Sequence, residues 1–470
     1  MSRITFSLSD GLSASQCREV YDGALEILRR IGIEVPLERA VKDLSGQHGF
    51  RADGNRIRIA PDAVEDAADA YVRDGYGSSR HQQNPTRISL VFGGQSPHFI
   101  DLDTGDVRPA LSSDVVTVSR LAHAFGISGD APVSPADVAP PLRDMLAFKL
   151  GVEHHPGTDP SPGAMSTPLQ ARTAFEMCRV LNKSFTLGLW TSSPLELSRE
   201  GLACLYELAE EDITVNIASM PLYGATTALD LGTCLAQSFA EILGTLAVVS
   251  AIVRNRPSHI GQMVIDITGF DMRAANAVYG SPEQLLLIAA YFQCLRHRHG
   301  RDIRPESKLL GMGKLPDAQT GAERALGVLF LALAGAKSFF GAGRISRGDI
   351  YSVEQFVIDV EICRYVSRIQ EGLSWRDEGP DLDLVDRVGP HGTFLTTDEL
   401  VGGFRQEIWS PDLFSYERYE SWSANGEKSV RETALDIARR MIASSDFEIE
   451  DEKRRGLDSI YEAFKKQTFK

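Results

Sequence analysis

Apolar side chains recur at helical spacing from about Ser13 to Ile31, where Val20, Ala24, Leu25, Ile27 and Leu28 share one face. Arg56–Ile59 alternates as a short strand, and Asp62–Val72 returns to helical spacing. His98–Leu102 and Val107–Pro109 flank Thr104-Gly105-Asp106, which predicts a hairpin with a glycine turn. These elements form an N-terminal α+β extension over residues 1–110. From Ser112 short apolar stretches alternate with longer helical ones. The helices are expected at Asp114–Phe125, Leu142–Val152, Pro168–Leu181, Pro194 to near Glu210, Leu229–Val253, Pro282–Arg298, Ala318–Ala334 and Val353–Gln370. The strands are expected at Ile127–Val138, Ser161–Ser166, Ser184–Trp190, Ile213–Ala218, His259–Met263, Ser307–Gly311 and Ser338–Gly341.

That series amounts to about seven βα units, and parallel strands need such crossover connections. An open doubly wound sheet and a closed barrel both satisfy it. Eight units in about 280 residues suit a barrel, with the eighth strand near Leu384–Leu395. No glycine-rich dinucleotide fingerprint follows the first strand, which weakens the open-sheet option. The expected class is therefore α/β, a TIM (β/α)8 barrel over 111–400, with helical segments Lys428–Ile442 and Glu450–Phe464 in a tail over 401–470. Trp409, Tyr416, Tyr419 and Trp422 make that tail aromatic and favour self-association, so a homo-oligomer is expected.

Composition narrows the function classes. The chain has 470 residues, 43% hydrophobic and 24% charged, which is ordinary globular usage. Its formal net charge of −15 argues against nucleic-acid binding, which needs clustered Lys and Arg. The apolar stretches near Ala236–Val253 and Ala325–Ala336 are interrupted or too short to span a bilayer and read as buried helices. The N-terminal Met-Ser-Arg-Ile-Thr-Phe lacks a signal-peptide stretch, so a cytoplasmic location is expected. The six cysteines form no C-x-x-C pair, and the ten histidines are scattered, so no directly bound metal is expected.

In a barrel the chemistry sits at the C-terminal strand ends. That rule selects Met220 and Tyr223, Gln262 and Asp266, Gly311 to Lys314, Gly341 to Arg344, and His391 to Leu395. Gly311 and Gly313, like Gly341 and Gly343, let backbone approach a ligand or simply make tight turns. Asp317 either caps the helix it opens or serves as a catalytic group. Trp190, Tyr223, Phe270, Tyr279, Phe340 and Phe394 fall on the strand-end loops, where aromatic faces bind quaternary ammonium.

Several ordered motifs then coincide. Lys314-Leu315-Pro316-Asp317-Ala318-Gln319-Thr320-Gly321-Ala322-Glu323, followed by Leu331-Ala332-Leu333-Ala334-Gly335-Ala336, resembles the signature segment of the trimethylamine methyltransferase family. So does Ser352-Val353-Glu354-Gln355-Phe356-Val357-Ile358-Asp359-Val360-Glu361. Ala240-Glu241-Ile242-Leu243, Tyr279-Gly280-Ser281-Pro282-Glu283, Leu25 to Ile33 and Tyr419-Glu420-Ser421-Trp422 match in order and spacing. The resemblance implies a TIM barrel, a methylated-amine donor, and a corrinoid (cobalamin) carried by a cognate partner protein whose Co(I) attacks the methyl carbon. Founding members carry pyrrolysine near the barrel mouth. This chain has standard residues there, around Gly311 to Gly313, and resembles the non-pyrrolysine branch that includes a glycine betaine methyltransferase. Two places depart from the family: Gly392-Thr393-Phe394-Leu395-Thr396-Thr397 lacks the usual His-Thr pair, and Gly224-Ala225-Thr226-Thr227 replaces Gly-Pro-Val-Thr.

A quaternary ammonium leaves as a neutral tertiary amine, so no general acid is needed to expel it. The expected donor is thus a small quaternary amine, betaine-like. Asp317 and Glu323 are the catalytic candidates. Tyr223, Gln262, Asp266, Tyr279, Phe340 and Phe394 are the substrate-binding ones, and Gly311, Met312, Gly313 and His391 would face the corrinoid. The alternatives are a corrinoid-independent barrel lyase or isomerase using Asp317 or Glu323 as base, and a non-catalytic betaine-binding protein.

Overall fold

The computed structural model describes residues 2–73, 88–159, 161, 163, 165–254, 258–299 and 306–469. The Ser161–Ser166 segment lies partly outside them. Six strands build two parallel ladders: β1 (Ser89–Phe92), β2 (Phe185–Ser192), β3 (Ile213–Ser219), β4 (His259–Ile265), β5 (Glu306–Lys308) and β6 (Ser338–Ala342). β3 pairs in parallel with β2 on one side and β4 on the other. β6 pairs in parallel with β5 and with β1. Single parallel bridges continue the second ladder from Phe92 to Gly129 and from Gly129 to Thr158. The stretch Ile127–Val138 thus contributes bridges in place of the long strand its apolar pattern predicts.

Helices cover the outer faces. The main ones are α1 (Ala14–Arg30), α2 (Pro61–Arg73), α3 (Leu231–Val253), α4 (Ala318–Leu333), α5 (Val353–Glu371), α6 (Val430–Ser444) and α7 (Asp451–Thr468). Ser13 and Gln16 form a reciprocal capping box that starts α1. Asp230, Asp317 and Ser352 accept from first-turn amides of α3, α4 and α5. Val20, Ala24 and Leu28 bury the inner face of α1 against α3. α3 is long and apolar enough to cross a membrane, yet it is buried almost throughout by other elements and serves as a core helix.

Three expectations are corrected. Leu384–Leu395 is not a strand: Asp381 accepts from Leu384 N–H and opens a helix over Leu382–Val388, and a 3-10 turn follows at Phe394–Thr396. Ser89–Phe92, inside the stretch assigned to the N-terminal extension, instead joins a parallel ladder through β6. Pro194 does not start a helix. It precedes the short strand Glu196–Leu197, and the helix Arg199–Glu207 begins after the Ser198 cap.

The tail packs back on the body. α6 lies against α5 and the helix Ser112–Phe125, burying Ala434 and Ala438, while α7 covers the helix Pro168–Val180 through Leu457, Tyr461 and Phe464. Glu361 fastens the turn that leads there: one buried oxygen accepts from the Asp412, Leu413 and Phe414 amides at 2.9, 3.0 and 3.3 Å. Bonds to an ionised acceptor are worth about 1.5–3 kcal/mol. Glu361→Ala is therefore expected to cost about 2–3 kcal/mol in urea unfolding and to open residues 409–418 to limited proteolysis before the rest of the chain.

Candidate functional site

Both ladders face one cavity of about 1030 Å3. Parallel strands covered by helices are ordinarily apolar on both faces. Here the inward positions alternate to polar or small residues: Thr186, Gly188 and Trp190 on β2, Thr214 and Asn216 on β3, Gln262 on β4, and Glu306 and Lys308 on β5. The outward neighbours Leu187, Leu189, Val215 and Phe339 are buried under the helices. Period two thus turns one face of each strand toward a polar chamber. Trp190, Tyr279 and Phe340 supply its aromatic wall.

Its charges are sorted by position. The Lys308 ammonium lies 3.0 Å from Asp266 and 2.7 Å from the Met220 sulfur, with the Trp190 ring centroid at 5.8 Å. Asp266 is buried and also accepts from Gln284 Nε2 at 3.1 Å. Burial lifts the Glu306 carboxyl to about 7; the Ser338, Lys308 and Gln262 side chains oppose the rise and Asp159 adds to it. Burial likewise lifts Asp130 to about 7, although Gly94 N–H donates to it at 2.7 Å. Burial and then Asp266 hold the Tyr279 phenol well above its usual range, so it stays protonated.

The Glu306 shift has a signed consequence. Its folded pKa exceeds the ordinary 4.5, so the folded protein holds more protons than the unfolded chain between about 4.5 and about 7. Its contribution is full at low pH and is lost as pH rises through that window. Glu306→Gln should match the parent near pH 4 and become the more stable of the two by about 3 kcal/mol at pH 8. Melting curves of the pair across pH check this; a constant difference contradicts it.

Of the residues singled out from sequence, the structure brings Trp190, Met220, Gln262, Tyr279, Phe340 and Arg344 into the cavity wall, with Asp266 behind Lys308. It places the others elsewhere. Asp317 accepts from the Gln319 and Thr320 amides as the α4 cap. One Glu323 oxygen accepts from Met312 N–H at 2.7 Å and Gly313 N–H at 3.0 Å, and Gln319 donates to the other. Gly311 and Gly313 in turn accept from Arg347 and Ser346 amides, which ties this turn to the loop after β6. A Cβ at Gly311 or Gly313 would collide with Glu323 or Thr320, so close approach explains both glycines. The Tyr223 hydroxyl donates to Leu229 O. His391 and Phe394 are exposed on the segment after the helix Leu382–Val388. Among the described residues no group of three or more His, Cys, Asp or Glu side chains is arranged to hold a metal ion.

Sequence reasoning missed Asp130, Glu306 and Lys308. The available signal was the polar alternation in strands that flanking helices should have made apolar.

With the geometry in place, comparison with known proteins decides the family. The sequence model of the trimethylamine methyltransferase family matches residues 3–466. The chain belongs to that family. It is a methyltransferase acting on methylated amines. A trimethylamine methyltransferase of Desulfitobacterium hafniense (strain DSM 10664 / DCB-2) is 25% identical over 451 residues, covering 91% of this chain and 88% of the relative. A glycine betaine methyltransferase of strain Y51 is 25% identical over 430 residues, covering 88% of each. These relatives are consistent with the non-pyrrolysine branch. A trimethylamine methyltransferase of Methanosarcina thermophila is 31% identical over 256 residues, or 53% of this chain and 50% of the relative. The crystal structure of the Methanosarcina barkeri monomethylamine methyltransferase aligns over 99% of this chain and 96% of its own, at 10% identity and a TM-score of 0.47.

Proposed function

We propose that this methyltransferase takes a methyl group from a quaternary, betaine-like amine and passes it to the Co(I) corrinoid of a partner protein. The observation that carries the reading is the cavity, where the Trp190, Tyr279 and Phe340 faces stand with Glu306 and Asp130 in one family member. Aromatic faces attract an alkylammonium by about 0.5–2 kcal/mol, more as water is excluded. Ionised carboxylates add to that hold. The corrinoid supplies the nucleophile that accepts the methyl group. The chain's own residues bind the cation, align one methyl group and keep water from it, and such positioning lowers a barrier by several kcal/mol. The C–N bond electrons leave with a neutral tertiary amine, so no side chain has to donate a proton. Glu323 then serves catalysis by fixing the 311–313 turn, and Asp317 by capping the helix that carries Glu323.

The same reading takes the two ladders as arcs of one closed (β/α)8 barrel. The six strands, with the backbone at Gly129 and Thr158, supply its eight positions, and residues from both arcs line one chamber. Strand 89–92 then belongs to the barrel, and residues 401–470 wrap its outside. Exposed Leu382, Val385, Leu395 and Val401 support self-association of the chain.

The test mixes purified protein, Co(I) corrinoid and a panel of tertiary and quaternary methylamines, and follows the methyl-corrinoid spectrum. Transfer from quaternary amines is expected. No transfer from any of them, with the cognate corrinoid protein present, overturns the reading.

A further inference from the structure

The basic side chains lining the cavity are Arg254, Lys308, Arg344 and Arg347. Lys308 is matched by Asp266, and Arg347 by Asp349 at 3.0 Å and by the Asn276 amide oxygen. Arg254 sits exposed at the far end of α3. Arg344 is different. Among the described residues no carboxylate lies within 4 Å of it, and its Nε is buried without a hydrogen-bond partner. Its protein bond is from Nη2 to Gly348 O at 3.3 Å.

The guanidinium is nevertheless firmly seated. Gly94 and Gly348, at φ +97° and +100°, flank it, and a Cβ at either would collide with it. The buried Arg324 donates to the Arg344 carbonyl, and Asp359 accepts from Gly343 N–H at 2.8 Å, so the backbone beneath is fixed. The other groups around the guanidinium are Asp130, Tyr279 and Tyr351. Asp130, lifted to about 7 by burial and lying outside ion-pair distance, offsets the guanidinium only in part near pH 7, and the two phenols are protonated. A guanidinium held in a cavity wall with no ion-pair partner and an unbonded Nε is matched to a planar anion.

The geometry points to Arg344 as the specificity-determining residue of the cavity, binding a carboxylate on the same molecule whose methylated ammonium meets the Trp190, Tyr279 and Phe340 wall. This rests on the methyl-donor reading above and goes past it, because it names the side chain that reads the anionic end of the donor. Choline-like and tetraalkylammonium cations lack that end and are disfavoured.

The experiment is a calorimetric titration of the full chain without corrinoid. The probes are glycine betaine and longer trimethylammonium carboxylates, each paired with its methyl ester, which keeps the cation and removes the charge. The parent should bind at least one acid about tenfold or more tightly than its ester. Arg344→Gln should bring that ratio close to one. Arg344→Lys keeps the charge without the fork and should give an intermediate ratio, which carries the test if Arg344→Gln does not fold by its melting curve. A ratio near one in the parent, no affinity for any acid, or a parental ratio in the folded variants overturns the assignment. Failure of the methyl-donor reading is separate, since it appears as absent methyl transfer whatever charge the donor's tail carries.

Discussion

Glu241→Ala is expected to lower the unfolding free energy by about 3–5 kcal/mol, among the largest losses available to a single substitution in this chain. Glu241 is fully buried in α3. One oxygen accepts from Ser193 Oγ at 2.6 Å and Ser219 Oγ at 2.5 Å. The other accepts from Leu195 N–H at 3.2 Å and Gln237 Nε2 at 3.0 Å. It thus pins the end of β3 and the turn after β2 to the helix behind them, next to the cavity wall at Trp190. Alanine takes the acceptor from four donors, the buried Ser219 hydroxyl and three part-buried groups, and leaves a void. Glu241→Gln keeps one acceptor oxygen and lets the serines turn to accept from its amide, so about half the loss should return. Urea unfolding of the three proteins measures this. Equal stability of the alanine and glutamine forms would show that volume, not hydrogen bonding, sets the cost.

Arg324→Met should cost a similar amount, about 3–5 kcal/mol, for a different reason. Arg324 is 1% exposed and lies 3.7 Å from the wholly buried Asp359. Burial pushes Asp359 up toward its neutral form, and Arg324 is the main influence opposing that. Removing the cation leaves Asp359 to take up a proton or stay charged without compensation. It also removes the bond to the Arg344 carbonyl. The double variant Arg324→Met with Asp359→Asn should recover part of the loss, because the unpaired charge disappears while the bond to Arg344 stays broken. A double variant no more stable than Arg324→Met would contradict the charge argument. Methyl-transfer kinetics should show a raised KM in any Arg324 variant that folds, since the Arg344 backbone rests on this pair.

These two predictions bear on what the sequence made legible. Several helix starts were readable where a polar cap precedes an apolar stripe, as at Ser13, Asp317 and Ser352, because capping is local chemistry. The family motifs were readable too, but their roles were not. Glu241, Glu323, Asp359 and Glu361 all lie in those motifs, and each spends its carboxylate on amides or side chains of a distant loop. Nothing in the local sequence names those partners. The segment Leu384–Leu395 was misread as a strand because the count of βα units called for an eighth one there; the Asp381 cap was the better guide. Ser89–Phe92 was missed because four residues carry too short a pattern to announce a parallel strand far from the other units. The strand-end rule found Gln262, Tyr279 and Phe340, and its Gly341 to Arg344 loop contained the arginine that matters. It overlooked Glu306 and Lys308, which a reading by period two would have set inward beside the buried Ser307.

The proposed function requires this chamber to hold the methylated cation during transfer. The most direct measurement is the amine dependence of methyl transfer to Co(I) corrinoid for the parent, Tyr279→Ala and Phe340→Ala, each checked for folding. Loss of one aromatic face should raise the KM for the quaternary amine about tenfold or more, with the corrinoid-protein KM unchanged. An unchanged amine KM in both folded variants would place the donor outside this cavity and contradict the account.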